Sequence, residues 1–128
     1  MSIIHSKYII CKAFNTDDLD IKVNAKINDG WIPLEDGSKY AVDPDTDKKI
    51  YYQVMVKEYT MDCTLVISSV KTFSATSSEE LEKKINDYLV NNDARCMGGA
   101  YIANGKWIQP IMNLVAKETQ TKSIAPTA

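Results

Sequence analysis

Apolar residues recur at every fourth position in two stretches of the chain, Leu19, Val23, Ile27 and Leu81, Ile85, Leu89. Charged and amide residues fill the gaps, so each stretch predicts a helix with one narrow apolar stripe and a wetted back. Asn follows the second stripe residue in both, as Asn24 and Asn86. Both helices have a start signal. Asn15 stands three residues before Asp18, and Ser77 three before Glu80, the spacing of an N-cap whose side chain meets the N3 amide. The first helix is expected to stop at Gly30, a good left-handed C′ residue. The second runs out at Asn91–Asn92–Asp93, where an Asn takes that conformation less comfortably.

Around the helices, the pattern changes to β-branched and aromatic runs. "KYIICKAF" (7–14) and "TLVISSVKTF" (64–73) predict a strand before each helix. "KIYYQVMVKEY" and "GKWIQPIMNLVAK" predict a strand closing each half. The two stripes lie 62 positions apart (19 to 81), and the same separation pairs Asn15 with Ser77, Leu34 with Cys96 and Gly37 with Gly99. Past the glycines the separation falls to 56, pairing Gln53 with Gln109 and Tyr51 with Trp107. The first half therefore holds six more residues, around "DPDTDK" (43–48).

These matches predict an α+β fold built from two β-α-β-β repeats, at about 7–59 and 64–117. One antiparallel sheet is expected, with both helices packed on one face. Its other face, carrying residues such as Tyr8, Tyr52, Val54, Val66 and Ile111, would lie open and drive self-association into a dimer or higher homo-oligomer. Pro110 cannot donate to a ladder, so the last strand is expected at an edge or bulged. Residues 1–117 form the expected single domain, and the polar end, 118–128, reads as a flexible tail.

Charge and composition narrow the functions. Fifteen Lys and Arg against 17 Asp and Glu give a net charge of −2, with no lysine run. A protein coating a nucleic-acid polymer needs a basic stripe, which is missing. No apolar run reaches membrane-spanning length. Three cysteines, Cys11, Cys63 and Cys96, without a C-x-x-C pair or a signal peptide, fit a reducing cytoplasm. The one histidine, His5, sits near the start and reads as a surface residue. No metal-ligand spacing, P-loop or nucleophile elbow occurs, so no cofactor, no metal and no enzyme activity are expected. "DPDTDKK" lacks the Gly and terminal Glu of a calcium loop and reads as a solvated hairpin tip. Trp31, next to Gly30, reads as core or interface.

What could bind lies in "DARCMGGAYIANGKW" (93–107). Arg95 is the only arginine and falls where the first half has Pro33, so the repeat does not demand it. Gly98 and Gly99 would let backbone amides approach an anion. Tyr101 and Trp107 could stack on a base, and Lys106 could meet a phosphate. Each has a structural alternative: turn glycines, a salt-bridging arginine, and a Trp107 that fills the sheet position of Tyr51. Asn104–Gly105 is a hairpin signal first.

The run "LDIKVN", then "GWIPLEDG", then "YYQVMVK" resembles a small bacterial and phage domain-of-unknown-function family. The first half carries it through Leu19, Val23, Asn24, Gly30, Trp31, Pro33, Leu34, Gly37, Tyr52, Gln53, Met55 and Val56. The second half does so through Leu81, Ile85, Asn86, Gly98 or Gly99, Gln109 and Met112, but has Asn92–Asp93 in place of Gly-Trp. The layout also resembles the phage Thoeris anti-defence proteins that act as sponges for immune signals. That resemblance implies a homo-oligomer in the host cytoplasm. It would bind and sequester a small anionic nucleotide, a cyclic ADP-ribose isomer or cyclic oligonucleotide, without cleaving it. The alternatives are a protein-interaction module that inhibits a host protein, and an accessory phage protein with no ligand.

Overall fold

Both helices begin where the caps place them. In a computed structural model that describes residues 2–117, Asn15 Oδ1 accepts the Asp18 N–H at 2.8 Å and opens α1 (Thr16–Asn28). Ser77 Oγ accepts the Glu80 N–H at 3.1 Å and opens α2 (Ser78–Asn91). The expected tail, 118–128, lies outside the described residues. α1 ends on Gly30, at φ 90°, with the Gly30 and Trp31 amides returning to the carbonyls of Ile27 and Lys26. A residue with a Cβ would be strained there. α2 has no such residue. Asn92 is extended, and its side-chain amide donates to the Tyr88 carbonyl at 2.8 Å. No helix among the described residues is long and apolar enough to cross a membrane.

The fold is α+β, and every strand pairing is antiparallel, but the strands form two sheets rather than the one expected. The first holds β1 (Ser2–Ala13), β3 (Lys49–Met61) and β2 (Ile32–Val42), in that order. The second orders β4 (Leu65–Ala75), β7 (Lys106–Ala116) and β5 (Ala94–Cys96), with β6 (Tyr101–Ala103) also on β7. The reason is visible in β3, where five successive residues, Tyr52 to Val56, are buried. A strand buried on both faces needs a layer on each side. α1 covers one face, where Leu19 meets Cys11, Ala13 and Met55. The other face, with Tyr8, Ile10, Tyr52 and Val54, meets α2 and the second sheet.

Two expectations change with that arrangement. The helices do not share one sheet face. Of the residues expected on an open face, Tyr8, Tyr52, Val54 and Ile111 lie in the main core, and Val66 alone is exposed. Pro110 also sits in a central strand, not at an edge. Pairing of β7 with β5 stops at Ile111 and pairing with β6 begins at Ile108, so Pro110 falls in the gap between them. Its missing donor costs no ladder bond, and its carbonyl still accepts the Met97 N–H at 3.0 Å.

Contacts in the two halves recur at matching places. Tyr8 lies opposite Val56 and Val70 opposite Met112; the register breaks between His5 and Lys7 and again between Ile67 and Ser69. Lys22 Nζ donates to the Lys12 carbonyl at 2.6 Å, and Lys84 Nζ to that of Ser74 at 2.8 Å. Gln53 Nε2 donates to the carbonyls of Leu34 and Val54, and Gln109 Nε2 to those of Gly98 and Pro110.

The backbones of the two halves meet at Gly37 and Gly99. A Cβ on Gly99 would stand 2.6 Å from Gly37 Cα and 2.9 Å from the Asp36 carbonyl oxygen. Backbone on both sides cannot swing away as a side chain can, so the contact is set by the absence of Cβ. Gly99→Ala is expected to cost about 1–3 kcal/mol, the usual range for overpacking. The readout is the denaturant midpoint; an unchanged midpoint would remove this contact as a constraint on the fold.

Candidate functional site

The residues singled out in 93–107 do not converge. Arg95 lies opposite Met112 on β7, Tyr101 opposite Ile108, and Lys106 at the start of β7. With about 3.4 Å per residue, Arg95 and Tyr101 are about 14 Å apart along the strand. Arg95 points toward β1, its Nη1 3.4 Å from the Ile3 carbonyl, in a small cleft with Ser2, Leu65 and Leu114. In register it matches Ile32, opposite Val56, and not Pro33. Tyr101 and Lys106 are exposed on the terminal hairpin, whose turn is Asn104–Gly105 with φ of 52° and 71°.

Trp107 and the glycines are occupied by the fold. Trp107 is fully buried, its ring centroid 4.8 Å from that of Tyr52 at a steep 73°. It has no face free to stack on a ligand, so its structural role is the one realised. The Gly98 carbonyl is taken by Gln109, and Gly99 is wedged on Gly37.

Asp43 corrects the reading of the 43–48 hairpin as wholly solvated. The tip is exposed from Asp45 to Lys48, but Asp43 is buried. Its Oδ1 accepts the Trp107 indole N–H at 3.3 Å and the Asp45 N–H at 3.0 Å; its Oδ2 takes Lys12 Nζ at 3.1 Å. Burial alone would raise the Asp43 pKa. The bonds from Asp45, Lys12 and Trp107 outweigh it and hold the carboxyl below its usual range. The six-residue difference between the halves thus supplies the acceptor for a buried tryptophan of the other sheet.

Beside this pair opens a cleft of about 370 Å³, between the end of β1, the start of α1 and the β2–β3 hairpin. Its volume falls within the range of small-molecule sites. Phe14 and Ile21 stand in it, each 67% exposed, with Lys12, Asp18, Lys22 and Asp43 around them. Lys48 Nζ lies 5.7 Å from the Phe14 ring centroid. One aromatic face and three ammonium groups therefore gather around this cleft, with Lys12 paired to Asp43 and Glu79 and Lys22 bonded to the Lys12 carbonyl. Sequence reasoning passed over this group. The available signal was Ile21, an apolar residue off the Leu19–Val23–Ile27 stripe, where α2 has Lys83.

Among the described residues, no group of three or more His, Cys, Asp or Glu is placed to hold a metal ion. Cys96 is buried, and burial pushes its thiol up to about 12, far from a thiolate nucleophile. His5, expected at the surface, is buried between the halves. Its Nδ1 accepts the Cys96 N–H at 2.9 Å, and its Nε2 lies 4.0 Å from Glu58. The Cys96 bond requires an unprotonated Nδ1. No protein-family model, curated protein or solved structure matches the chain.

His5 gives the fold a pH dependence. Burial first, and then the Arg95 charge, lower its pKa to about 4 from 6.5. Because the unfolded chain takes up the proton at the higher pH, stability is full above about 6.5 and falls as pH drops toward 4. The loss reaches about 3 kcal/mol by linkage. Thermal unfolding between pH 7 and 4.5 should show that fall, and His5→Gln should flatten it. An equal slope in the variant would assign the dependence to other groups.

Proposed function

We propose that the chain is a binding protein without catalysis that takes up a small anionic ligand carrying a ring, in the cleft between β1, α1 and the β2–β3 hairpin. The observation that carries this reading is Phe14, an exposed aromatic face with Lys48 over it and Lys12 and Lys22 nearby. A nucleotide base can stack on such a face while ammonium groups meet its phosphate. Sequestration needs affinity and enclosure but no acid–base pair, which suits a buried neutral His5 and the buried Cys11 and Cys96, whose thiols burial pushes up.

The resemblance to signal sponges names the ligand class to try first, cyclic ADP-ribose isomers and cyclic oligonucleotides. The same reading takes the two halves as copies of one β-α-β-β unit. Of these, only the first has the cleft: Phe14 and Ile21 correspond to Thr76 and Lys83 in the second. Inhibition of a host protein is the second reading. It is favoured by the same two exposed apolar side chains, which would anchor a partner as readily as a base.

A thermal-shift panel of cyclic nucleotides and ADP-ribose isomers tests the first reading. A ligand at a hundred times its Kd stabilises by about 2.7 kcal/mol through mass action. The ligand should be recovered unchanged after denaturation. Phe14→Ala should abolish the shift, while Tyr101→Ala and Lys106→Ala should leave it. A shift that survives Phe14→Ala, or no shift with any ligand, would sink the proposed site; recovery of a cleaved product would sink the non-catalytic role.

A further inference from the structure

Strand β1 is an outer strand of its sheet, yet its edge is not bare. The Tyr8 N–H donates to Asn86 Oδ1 at 2.8 Å, Asn86 Nδ2 donates back to the Tyr8 carbonyl at 2.9 Å, and the Ile10 N–H donates to Glu82 Oε2 at 2.6 Å. Helix α2 thus closes the edge with two side chains one turn apart.

The matching strand of the second sheet, β4, has no such cover. It is the outer strand there, and Val70 and Thr72 hold the register places of Tyr8 and Ile10. The matching helix residues exist: the 62-residue separation carries Asn86 to Asn24 and Glu82 to Asp20. Both are exposed on α1, and neither makes a side-chain hydrogen bond among the described residues. The apolar neighbours agree. Ile27 is 44% exposed where its counterpart Leu89 is 7%, and Val70 is 51% exposed where Tyr8 is 1%. Val66 and Ile67 are exposed while Ile4 and His5 are buried. One half of the molecule carries a used edge and an unused helix, and the other half the reverse.

We infer that α1 of one copy docks on the β4 edge of a second copy, as α2 docks on β1 within the chain. Asn24 bonds both backbone groups of Val70 in the partner chain, and Asp20 accepts the N–H of its Thr72. Ile27 is buried in the same contact. Each contact joins two different surfaces of the chain, helix to edge. Two copies that exchange both contacts form a two-fold pair, so a dimer is the smallest assembly with no open β4 edge. The inference is independent of any ligand in the Phe14 cleft.

Sedimentation of the full chain, with Asn24→Arg, Val70→Lys and an equimolar mixture of the two, is the test. The unaltered chain should be dimeric or larger at about 50 μM, each variant monomeric, and each should keep its far-ultraviolet circular dichroism, since both sites are exposed. The mixture should recover a 1:1 dimer, because one intact α1 then meets one intact β4. An interface of α1 against α1, or of β4 against β4, would not be rescued in this way. If a variant loses its dichroism, amide exchange on the unaltered chain replaces it: Val70 and Thr72 should slow on concentration, and constant rates would overturn the inference. A monomeric native chain, a variant that stays associated, or a mixture that stays monomeric would overturn it equally.

Discussion

A buried strand edge must have its amides paired, and β1 is where this chain meets that requirement. The N–H groups of Tyr8 and Ile10 face the second half, where water cannot reach them freely. Leaving such groups bare would cost about 1–3 kcal/mol each. Asn86 and Glu82 satisfy them, and in doing so fix the position of α2 against the first sheet. Other contacts along the seam follow from that placement. Tyr8 reaches Gln109 with its hydroxyl at 2.8 Å, and His5 meets the Cys96 amide. Ser2 Oγ accepts the Leu65 N–H at 3.0 Å at the far end.

Within each half a buried glutamine ties the central strand to an irregular segment that precedes it, the Pro33–Ser38 stretch of β2 in the first half and the turn after β5 in the second. Gln53 and Gln109 each donate to the carbonyl of the next residue and to one in that segment. Gly37 and Gly99 lie in those segments and pack against one another. A polar side chain satisfied by backbone on both counts holds the segment in place, which supports the backbone-to-backbone approach between the halves. Tyr52, with its hydroxyl donating to the Ala100 carbonyl at 2.8 Å, and Trp107, held by Asp43, fill the space beside them.

That same packing removes most of the 93–107 stretch from ligand chemistry. Trp107, Gly98 and Gly99 are taken up by packing at the junction between the halves, and Arg95 faces β1. What remains open lies in the first half, where α1 has only one buried side chain, Leu19, against three apolar ones on α2. A lightly anchored helix beside an aromatic residue and several lysines has surface to spare. The Phe14 cleft and the α1 outer face both draw on it.

Local rules made much of the fold legible in the sequence. The caps at Asn15 and Ser77, the Gly30 stop, the Asn104–Gly105 turn and the strand-helix-strand order of each half depend on neighbours within a few residues, and those neighbours are printed in order. What the sequence could not convey is which surfaces meet. The stripe Leu19–Val23–Ile27 reads like Leu81–Ile85–Leu89, but only the second is buried throughout, because α2 has a strand edge of the other sheet to close and α1 has none in its own chain. Likewise Asp43 looked like one of several hairpin carboxylates. Its burial against Trp107, 64 positions away, arises only when two sheets stack and an indole N–H needs an acceptor. Composition and periodicity determined the elements; the pairing of backbone donors across the seam decided their assembly, and with it where a ligand or a second copy can reach the chain.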